Sequence, residues 1–443
     1  MPVLTMILFV GLRLTISSRF AQIRLLPRAL RNFWKSLKER NSNQDGMSGF
    51  RALCTALAAT VGTGNIAGVA GAITIGGPGV VFWMWICAFL GMITKMAEVT
   101  LATKYRRKNI VGEYVGGPMY MITEGMPRKY HCLASFYAFF GIVACFGVGN
   151  ATQVNAVVDG VKSISEMIGK PFGNMELIYV GIVVAVMVSV AFKRGINGVG
   201  SWAETLVPIA ASAYIVLSLI FLIMRVKEVP NAFAAIITGA FRPKSVTCGV
   251  ITSFFTCIRV GVSRGVFTNE AGMGTASIAH ASAHAKHPTQ QGLMGIVEVF
   301  LDTIVICTLT ALVILCSGVE IHYGTDPGIT LTLDAFARIY GNWIRIILTL
   351  LTCIFAFATI LGWGIYGARC AQFLFGDKAW KYFTKFQSIG VILGVLLQTS
   401  SVWALAEIVN GLMALPNLIA LLFLSPEFYR ILSNYHKENA HSF

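Results

Sequence analysis

Apolar residues run along this chain in stretches of about twenty, each bounded by a short polar or basic loop. Eleven stretches can be delimited, at 2–18, 50–75, 79–103, 133–160, 176–192, 202–225, 247–283, 290–317, 342–375, 384–400 and 402–425. A helix needs about 20 apolar residues to cross the hydrocarbon core of a bilayer. The pattern therefore predicts an all-α polytopic membrane protein with about eleven transmembrane helices. The first stretch is short for a span and runs into a basic segment, so it reads as a retained anchor with no cleavage site.

Two stretches carry glycine and polar residues where a membrane helix is otherwise uniformly apolar. One reads Ala58-Ala-Thr-Val-Gly62-Thr63-Gly64-Asn65-Ile-Ala-Gly68, the other Gly261-Val-Ser-Arg264-Gly265-Val-Phe267-Thr268-Asn269-Glu270-Ala-Gly272-Met-Gly274. Irregular backbone at membrane depth is tolerated only where it lines a cavity or is buried in protein. Each interrupted stretch opens a set of five. Five is odd, so the second set crosses the membrane upside down relative to the first, which is the inverted-repeat arrangement of secondary transporters. The expected organisation is a leading helix and amphipathic basic segment over 1–49, five-helix repeats at 50–225 and 247–425, and a tail at 426–443.

Composition agrees with the span pattern. Of 443 residues, 56% are hydrophobic and 12% charged, with mean hydropathy +0.70; an average soluble domain carries about 25% charged residues. The net charge of +15 accompanies no nucleic-acid-binding motif. Lysine and arginine concentrate in alternate loops, at 19–51, 104–130, 193–194, 284–289, 368–385 and the tail. That asymmetry puts the N-terminus outside and the C-terminus in the cytoplasm. The ten cysteines stand singly, with no CxxC, and read as packing residues.

The interruptions supply the candidate chemistry. A half-helix N-terminus offers free N–H groups to a carboxylate, and a half-helix C-terminus offers carbonyls to a cation. Gly62, Gly64 and Gly68 allow close approach to a ligand, and Thr63 and Asn65 add side-chain oxygen; Gly64 and Gly68 also form a GxxxG that could serve helix packing alone. Glu270 either binds a substrate amine, braces the broken backbone or pairs with Arg264. Lys95 and Glu98 are expected to pair on one helix face. Glu298, Asp302 and Glu407 read as packed polar contacts, with a proton path as the alternative for the first two. Gln153 and Asn155 either touch substrate or bond across helices. Thr359 and Trp363 share a face, as an oxygen for Na⁺ and a pocket wall. Trp83 and Trp85 read as part of the interfacial aromatic belt. His280, His284 and His287 read as loop residues. No hydrolytic or phosphate-binding motif appears, so no enzyme is expected.

Several of these segments resemble the alanine/glycine:cation symporter family of bacterial sodium:amino-acid carriers. They are Ala56–Ala70, Gly76-Gly-Pro-Gly-Val-Val-Phe-Trp-Met-Trp85, Glu113-Tyr-Val-Gly-Gly-Pro-Met-Tyr120, Gly265–Gly274, Asp302-Thr-Ile-Val-Ile-Cys-Thr and Thr359-Ile-Leu-Gly-Trp363. The resemblance implies the LeuT-type fold, with two broken helices in a 5+5 inverted repeat plus an extra N-terminal helix. It also implies uptake of alanine or glycine with Na⁺ by alternating access, in the cell inner membrane. By that similarity the carbonyls of Ala58 and Val61, with Thr359, hold Na⁺. Thr63 and Gly64 meet the substrate carboxylate, Phe267 and Thr268 sit at the second break, and Met273 and Trp363 limit the pocket. Asn65, Gln153 and Glu270 complete the candidate set. No cofactor is expected beyond Na⁺ as coupling ion, and the protein is expected to act as a monomer. The chain departs from the family pattern at Ala358 and Gly364, where serines are usual, and at Ala368, where a glutamate is usual. Proton coupling through Glu270 or Asp302, and a membrane sensor with a transporter-like core, are the alternative readings.

Overall fold

The computed structural model describes residues 2–38, 47–241, 254–325, 327–396 and 399–440. Lipid cannot satisfy backbone N–H and C=O groups, so a chain this apolar must close its hydrogen bonds within helices. Helices α1 (Pro2–Ser17) and α2 (Ala21–Lys38) meet at 84°, through a turn in which Arg19 and Phe20 have φ of 54° and 57°. Helices α3 (Gly49–Thr60) and α4 (Ala67–Gly76) are separated by one tight turn, Thr63–Asn65, and a bend of 61°. Helix α5 (Val80–Lys104) leads to a two-stranded antiparallel ribbon, β1 (Arg107–Lys108) with β2 (Tyr114–Val115), and to α6 (Pro118–Gly125). Helices α7 (Cys132–Ala144) and α8 (Thr152–Met167) join through a widened π turn, Cys145–Ala151. Helices α9 (Asn174–Phe192), α10 (Gly195–Met224) and α11 (Val229–Phe241) follow.

The second half begins with α12 (Phe254–Asn269) and α13 (Thr275–Ala281), separated by a non-helical break at 270–274. Helices α14 (Pro288–Val299) and α15 (Thr308–Cys316) join through a second π segment, Phe300–Cys307. Then come α16 (Thr330–Tyr340), α17 (Ile344–Phe375), α18 (Ala379–Gly394) and α19 (Thr399–Ala440), which carries the last expected span on into the tail.

Among the described residues seven helices are long and apolar enough to cross a membrane, and the two bent pairs bring the number to nine. The expected eleven is not reached. Stretch 247–283 begins on residues outside those described, and its polar break divides the rest. Stretch 384–400 contributes the sixteen-residue α18, which starts earlier than expected. Two segments expected as loops, 226–246 and 318–341, contain α11 and α16. Helix α16 buries Leu331, Leu333, Ala335 and Phe336, and Phe336 packs on Phe221 at 5.7 Å between ring centroids. A short amphipathic helix of this kind is masked when the chain is read for twenty-residue apolar windows.

Backbone-to-backbone packing positions the broken helices. Lipid tails are as apolar as leucine, so close van der Waals approach through small residues holds membrane helices together. A β-carbon at Gly362 of α17 would stand 2.8 Å from the Ala59 amide nitrogen of α3. A β-carbon at Gly261 of α12 would stand 2.6 Å from the Val80 carbonyl of α5. Gly68 meets nothing within 4 Å, so the Gly64–Gly68 pair is not a close-packing GxxxG. The nine described cysteines are free and mostly buried in such contacts.

The ends of both broken helices on one side are also tied down. Arg51 at the start of α3 pairs with Glu204 of α10 at 2.8 Å. Arg106 donates to the carbonyls of Ala281 and Ala283 at the end of α13 (3.3 and 2.5 Å), and the His284 N–H donates to the Met47 carbonyl at 2.8 Å. Arg369 of α17 reaches Glu113 beside the ribbon at 3.0 Å.

Gly362→Val is expected to force α17 off α3 and to lower the melting temperature of the purified protein, an overpacking cost of about 1–3 kcal/mol. Gly68→Ala in open space is expected to leave it unchanged or raise it slightly. Equal melting temperatures for the two variants would show that the α3–α17 contact is not tight.

Candidate functional site

The first break arises because Asn65 competes with the helix for its own backbone. In a continuing helix the Gly62 N–H would close onto the Ala58 carbonyl. Instead it donates to Asn65 Oδ1 at 2.9 Å, and the Asn65 N–H donates to the Gly62 carbonyl at 3.3 Å. The last helical bond of α3 runs from Val61 to Leu57. The carbonyls of Ala58 and Val61 are thereby released, as at any helix C-terminus. Beyond the break the Asn65 and Ile66 carbonyls are taken by the hydroxyls of Thr310 (2.9 Å) and Thr332 (3.3 Å). Thr63 and Gly64 open the tight turn ahead of α4, at the positive end of a half-helix.

Thr359 of α17 lies against this opening. Its hydroxyl donates to the Phe355 carbonyl at 3.0 Å, which leaves its oxygen lone pairs available. A β-carbon at Gly62 would stand 2.7 Å from Thr359 Oγ1 and 3.6 Å from Gln153 Oε1. Gln153 accepts from the Thr63 hydroxyl at 3.2 Å. Ala358, the neighbour of Thr359, is buried and offers no side-chain oxygen.

The second break mirrors the first. Asn269 Oδ1 accepts the Ala271 N–H at 3.0 Å, so a local amide again diverts the backbone. Glu270 adopts φ 53°, and Gly272 and Gly274 adopt 94° and 76°, a left-handed region costly for most L-residues. Glu98 of α5 secures the turn: its Oε1 accepts from the N–H groups of Gly272 (2.9 Å) and Gly274 (3.1 Å) and from Asn417 Nδ2 (2.7 Å). Lys95 does not pair with Glu98 as expected; its ammonium lies 3.2 Å from Glu298 of α14. The reason is tertiary, because the second break brings two N–H donors to Glu98.

Glu270 is a brace. Its Oε1 accepts from Trp363 Nε1 at 2.9 Å and its Oε2 from the Thr275 hydroxyl at 2.6 Å. Arg264, an expected partner, instead faces Glu407 of α19 at 3.6 Å. Trp363 is buried and held on its other side by the π turn, where a β-carbon at Gly149 would stand 2.4 Å from its Cβ. The Met273 carbonyl accepts from the Tyr137 hydroxyl at 3.0 Å. Phe267 and Met273 line a cavity of about 460 Å³ between α1, α12 and α19. Across the centre the two breaks touch: a β-carbon at Gly64 would meet Thr268 Cγ2 at 3.3 Å and Phe267 Cδ1 at 3.6 Å.

One carboxylate joins them. Asn65 Nδ2 donates to Asp302 Oδ1 at 2.6 Å, and the Thr303 hydroxyl donates to Asp302 Oδ2 at 2.7 Å. Asn269 Nδ2 donates to Thr303 Oγ1 at 3.2 Å. Each asparagine thus spends its carbonyl oxygen on its own break and its amide on the shared Asp302–Thr303 pair. The Asn65 amide nitrogen is turned toward this pair while its carbonyl oxygen stays on Gly62, the residue against Thr359. The π segment that carries Asp302 had no signal in the apolar pattern, though such bulges gather at functional sites.

His280 is not a loop residue. It is buried in α13, within 3.1 Å of Glu298 Oε2 and 2.7 Å of Gln291 Nε2. Among the described residues no group of three or more His, Cys, Asp and Glu side chains is arranged to hold a metal. Trp83 and Trp85 donate inward, to the Ala240 carbonyl (3.4 Å) and the Thr308 hydroxyl (2.8 Å).

Asp302→Ala is expected to strand the Thr303 hydroxyl, at about 1–3 kcal/mol, and to leave Asn65 Nδ2 only the longer contacts to the residue-302 carbonyl and Cys307 Sγ, both 3.3 Å, lowering the melting temperature and abolishing transport. Asp302→Asn, which keeps one acceptor, is expected to fall between it and the unaltered protein. A melting temperature unmoved by the alanine would remove Asp302 from this role.

The comparisons agree with this fold. The chain matches the sodium:alanine symporter family over residues 1–442. It is similar to the sodium/alanine symporter AgcS of Methanococcus maripaludis, 41% identical over 428 residues, covering 95% of this chain and 91% of that one. It is equally similar, 41% over 424 residues, to an uncharacterized transporter of Haemophilus influenzae, with coverage of 95% and 90%. Its fold is similar to that of MhsT in a crystal structure with L-phenylalanine, with a TM-score of 0.61 at 13% identity, covering 86% of this chain and 90% of that one. The fold is therefore LeuT-type, and cation-coupled amino-acid symport is the activity common to the family. This multi-pass membrane chain belongs to the sodium:alanine symporter family.

Proposed function

We propose that this protein imports small neutral amino acids, alanine and glycine, together with Na⁺ by alternating access. The observation that carries the reading is the junction at Gly62 and Gly64. There the released carbonyls of Ala58 and Val61 and the opening N–H groups of Thr63 and Gly64 lie on one short stretch of backbone, with the Thr359 hydroxyl of α17 against it at Gly62. Carbonyl and hydroxyl oxygens suit a small hard cation, and a half-helix N-terminus suits a carboxylate. Gln153, Phe267 and Thr268 wall the same opening. By the family resemblance Met273 and Trp363 would restrict its size, which favours a substrate with little or no side chain. Ion and substrate on adjacent backbone would raise each other's affinity, and that coupling free energy lets the ion gradient drive uptake. The 41% identity to a protein named a sodium/alanine symporter supports the same choice. We place it in the cell inner membrane, and the loop charges favour an orientation with the N-terminus outside and the C-terminus in the cytoplasm. Glu270 and Asp302 each have both oxygens occupied by protein donors, which suits bracing better than proton carriage.

Alanine uptake into proteoliposomes is expected under an imposed Na⁺ gradient and not under a proton gradient alone. Uptake driven only by protons would overturn Na⁺ coupling, and no uptake of any amino acid under either gradient would favour a sensor. Thr359→Ala is expected to raise the Na⁺ concentration for half-maximal uptake about tenfold, the loss of roughly 1.4 kcal/mol of binding. An unchanged Na⁺ dependence would remove Thr359 from the ion site.

A further inference from the structure

Helix α2 carries Arg24, Arg28, Arg31, Lys35 and Lys38 and no acidic residue. Its inward side is Ala21, Gln22, Leu25 and Ala29, all buried. Its outward positions are Ile23, Arg24, Pro27, Arg31, Trp34 and Lys35. At about 100° per residue this outward face divides lengthwise. Ile23, Trp34 and Pro27 fall together within about 40°, and beyond them Arg31, Arg24 and Lys35 occupy another about 40°. One edge is therefore apolar and aromatic, the other basic. Trp34 is 63% exposed and Ile23 54%, although both are large apolar groups.

A helix with such a divided face suits the boundary between acyl chains and headgroups. Its 84° angle to α1 lays it along the bilayer surface when α1 crosses. The basic edge then meets the headgroups, where each Lys or Arg near an anionic surface contributes about 1 kcal/mol. The helix is also joined to the first broken helix. The Phe33 ring lies 6.2 Å from the Phe50 ring, and Phe50 stands in the first turn of α3, the helix that ends at the first break.

We infer that α2 is a docking surface for the anionic phospholipids of the adjacent leaflet, and that lipid bound there sets transport rate through the Phe33–Phe50 contact. The surface and its lipid stand apart from the transport reading; only the rate readout rests on it. The test compares the unaltered protein with the triple variant Arg24→Gln, Arg31→Gln, Lys35→Gln. In detergent, added phosphatidylglycerol is expected to raise the melting temperature of the unaltered protein. Phosphatidylcholine or inorganic phosphate should not. The triple variant should lose the shift, with affinity for anionic lipid falling about fivefold per charge removed. In vesicles, Na⁺-driven alanine uptake by the unaltered protein should be several-fold faster with phosphatidylglycerol than with phosphatidylcholine alone, and the variant should show one rate in both. A thermal shift retained by the variant, or produced equally by phosphatidylcholine or inorganic phosphate, would overturn the lipid surface. A retained lipid dependence of uptake in the variant would overturn its link to rate. Absence of uptake in every vesicle would count against the transport reading and leave the thermal test to decide the surface.

Discussion

The two interrupted helices are held as one object by a single buried carboxylate. Asp302 takes Asn65 directly and Asn269 through Thr303. A polar group stranded at membrane depth costs several kcal/mol, because lipid offers it no partner. Breaking a helix there is therefore feasible only if the diverted backbone and the diverting side chains are all satisfied. The two asparagines meet this demand in the same way, each trading a helical bond for one of its own. Asp302 absorbs what remains of their donors, and the junction beside Gly62 and Gly64 exists because of it.

Around that node the structure separates what is braced from what is left open. Glu98 and Asn417 fix the turn at Gly272 and Gly274, and Glu270 ties that turn to Trp363. Thr310 and Thr332 satisfy the carbonyls beyond the first break. The last helical bond at the end of α3 runs from Val61 to Leu57, so the helix offers no partner to the Ala58 carbonyl. A transporter needs this distribution, since a cation must find oxygens that the protein has not already used. The glycine contacts at Gly261 and Gly362 serve the same division by letting α5 and α17 approach the broken helices backbone to backbone.

Much of this was legible beforehand. The interruptions at Gly62–Asn65 and Phe267–Gly274 stood out because glycine, threonine and asparagine are out of place in a span. Their position at the head of two sets of five implied the inverted repeat. Other readings failed where the partner lay far along the chain. Lys95 and Glu98 are three residues apart and were matched to each other. The fold gives Glu98 to backbone 174 residues away and Lys95 to Glu298. His280 read as a loop residue because its two partners, Glu298 and Gln291, sit on another helix. The π segments at Cys145–Ala151 and Phe300–Cys307 leave no trace in a pattern of apolar windows, since one extra residue in a turn changes no composition.

The sequence by itself determined that the chain crosses a membrane repeatedly, where its helices break, and which family it belongs to. These properties follow from local chemistry: apolar length, misplaced polar residues and motif identity. Tertiary structure alone decided which carboxylate serves which break, which carbonyls the threonines satisfy, and which face of α2 is left exposed. Those are pairings between distant segments in a medium that penalises every unpaired polar group, and only the packed arrangement of helices selects among them.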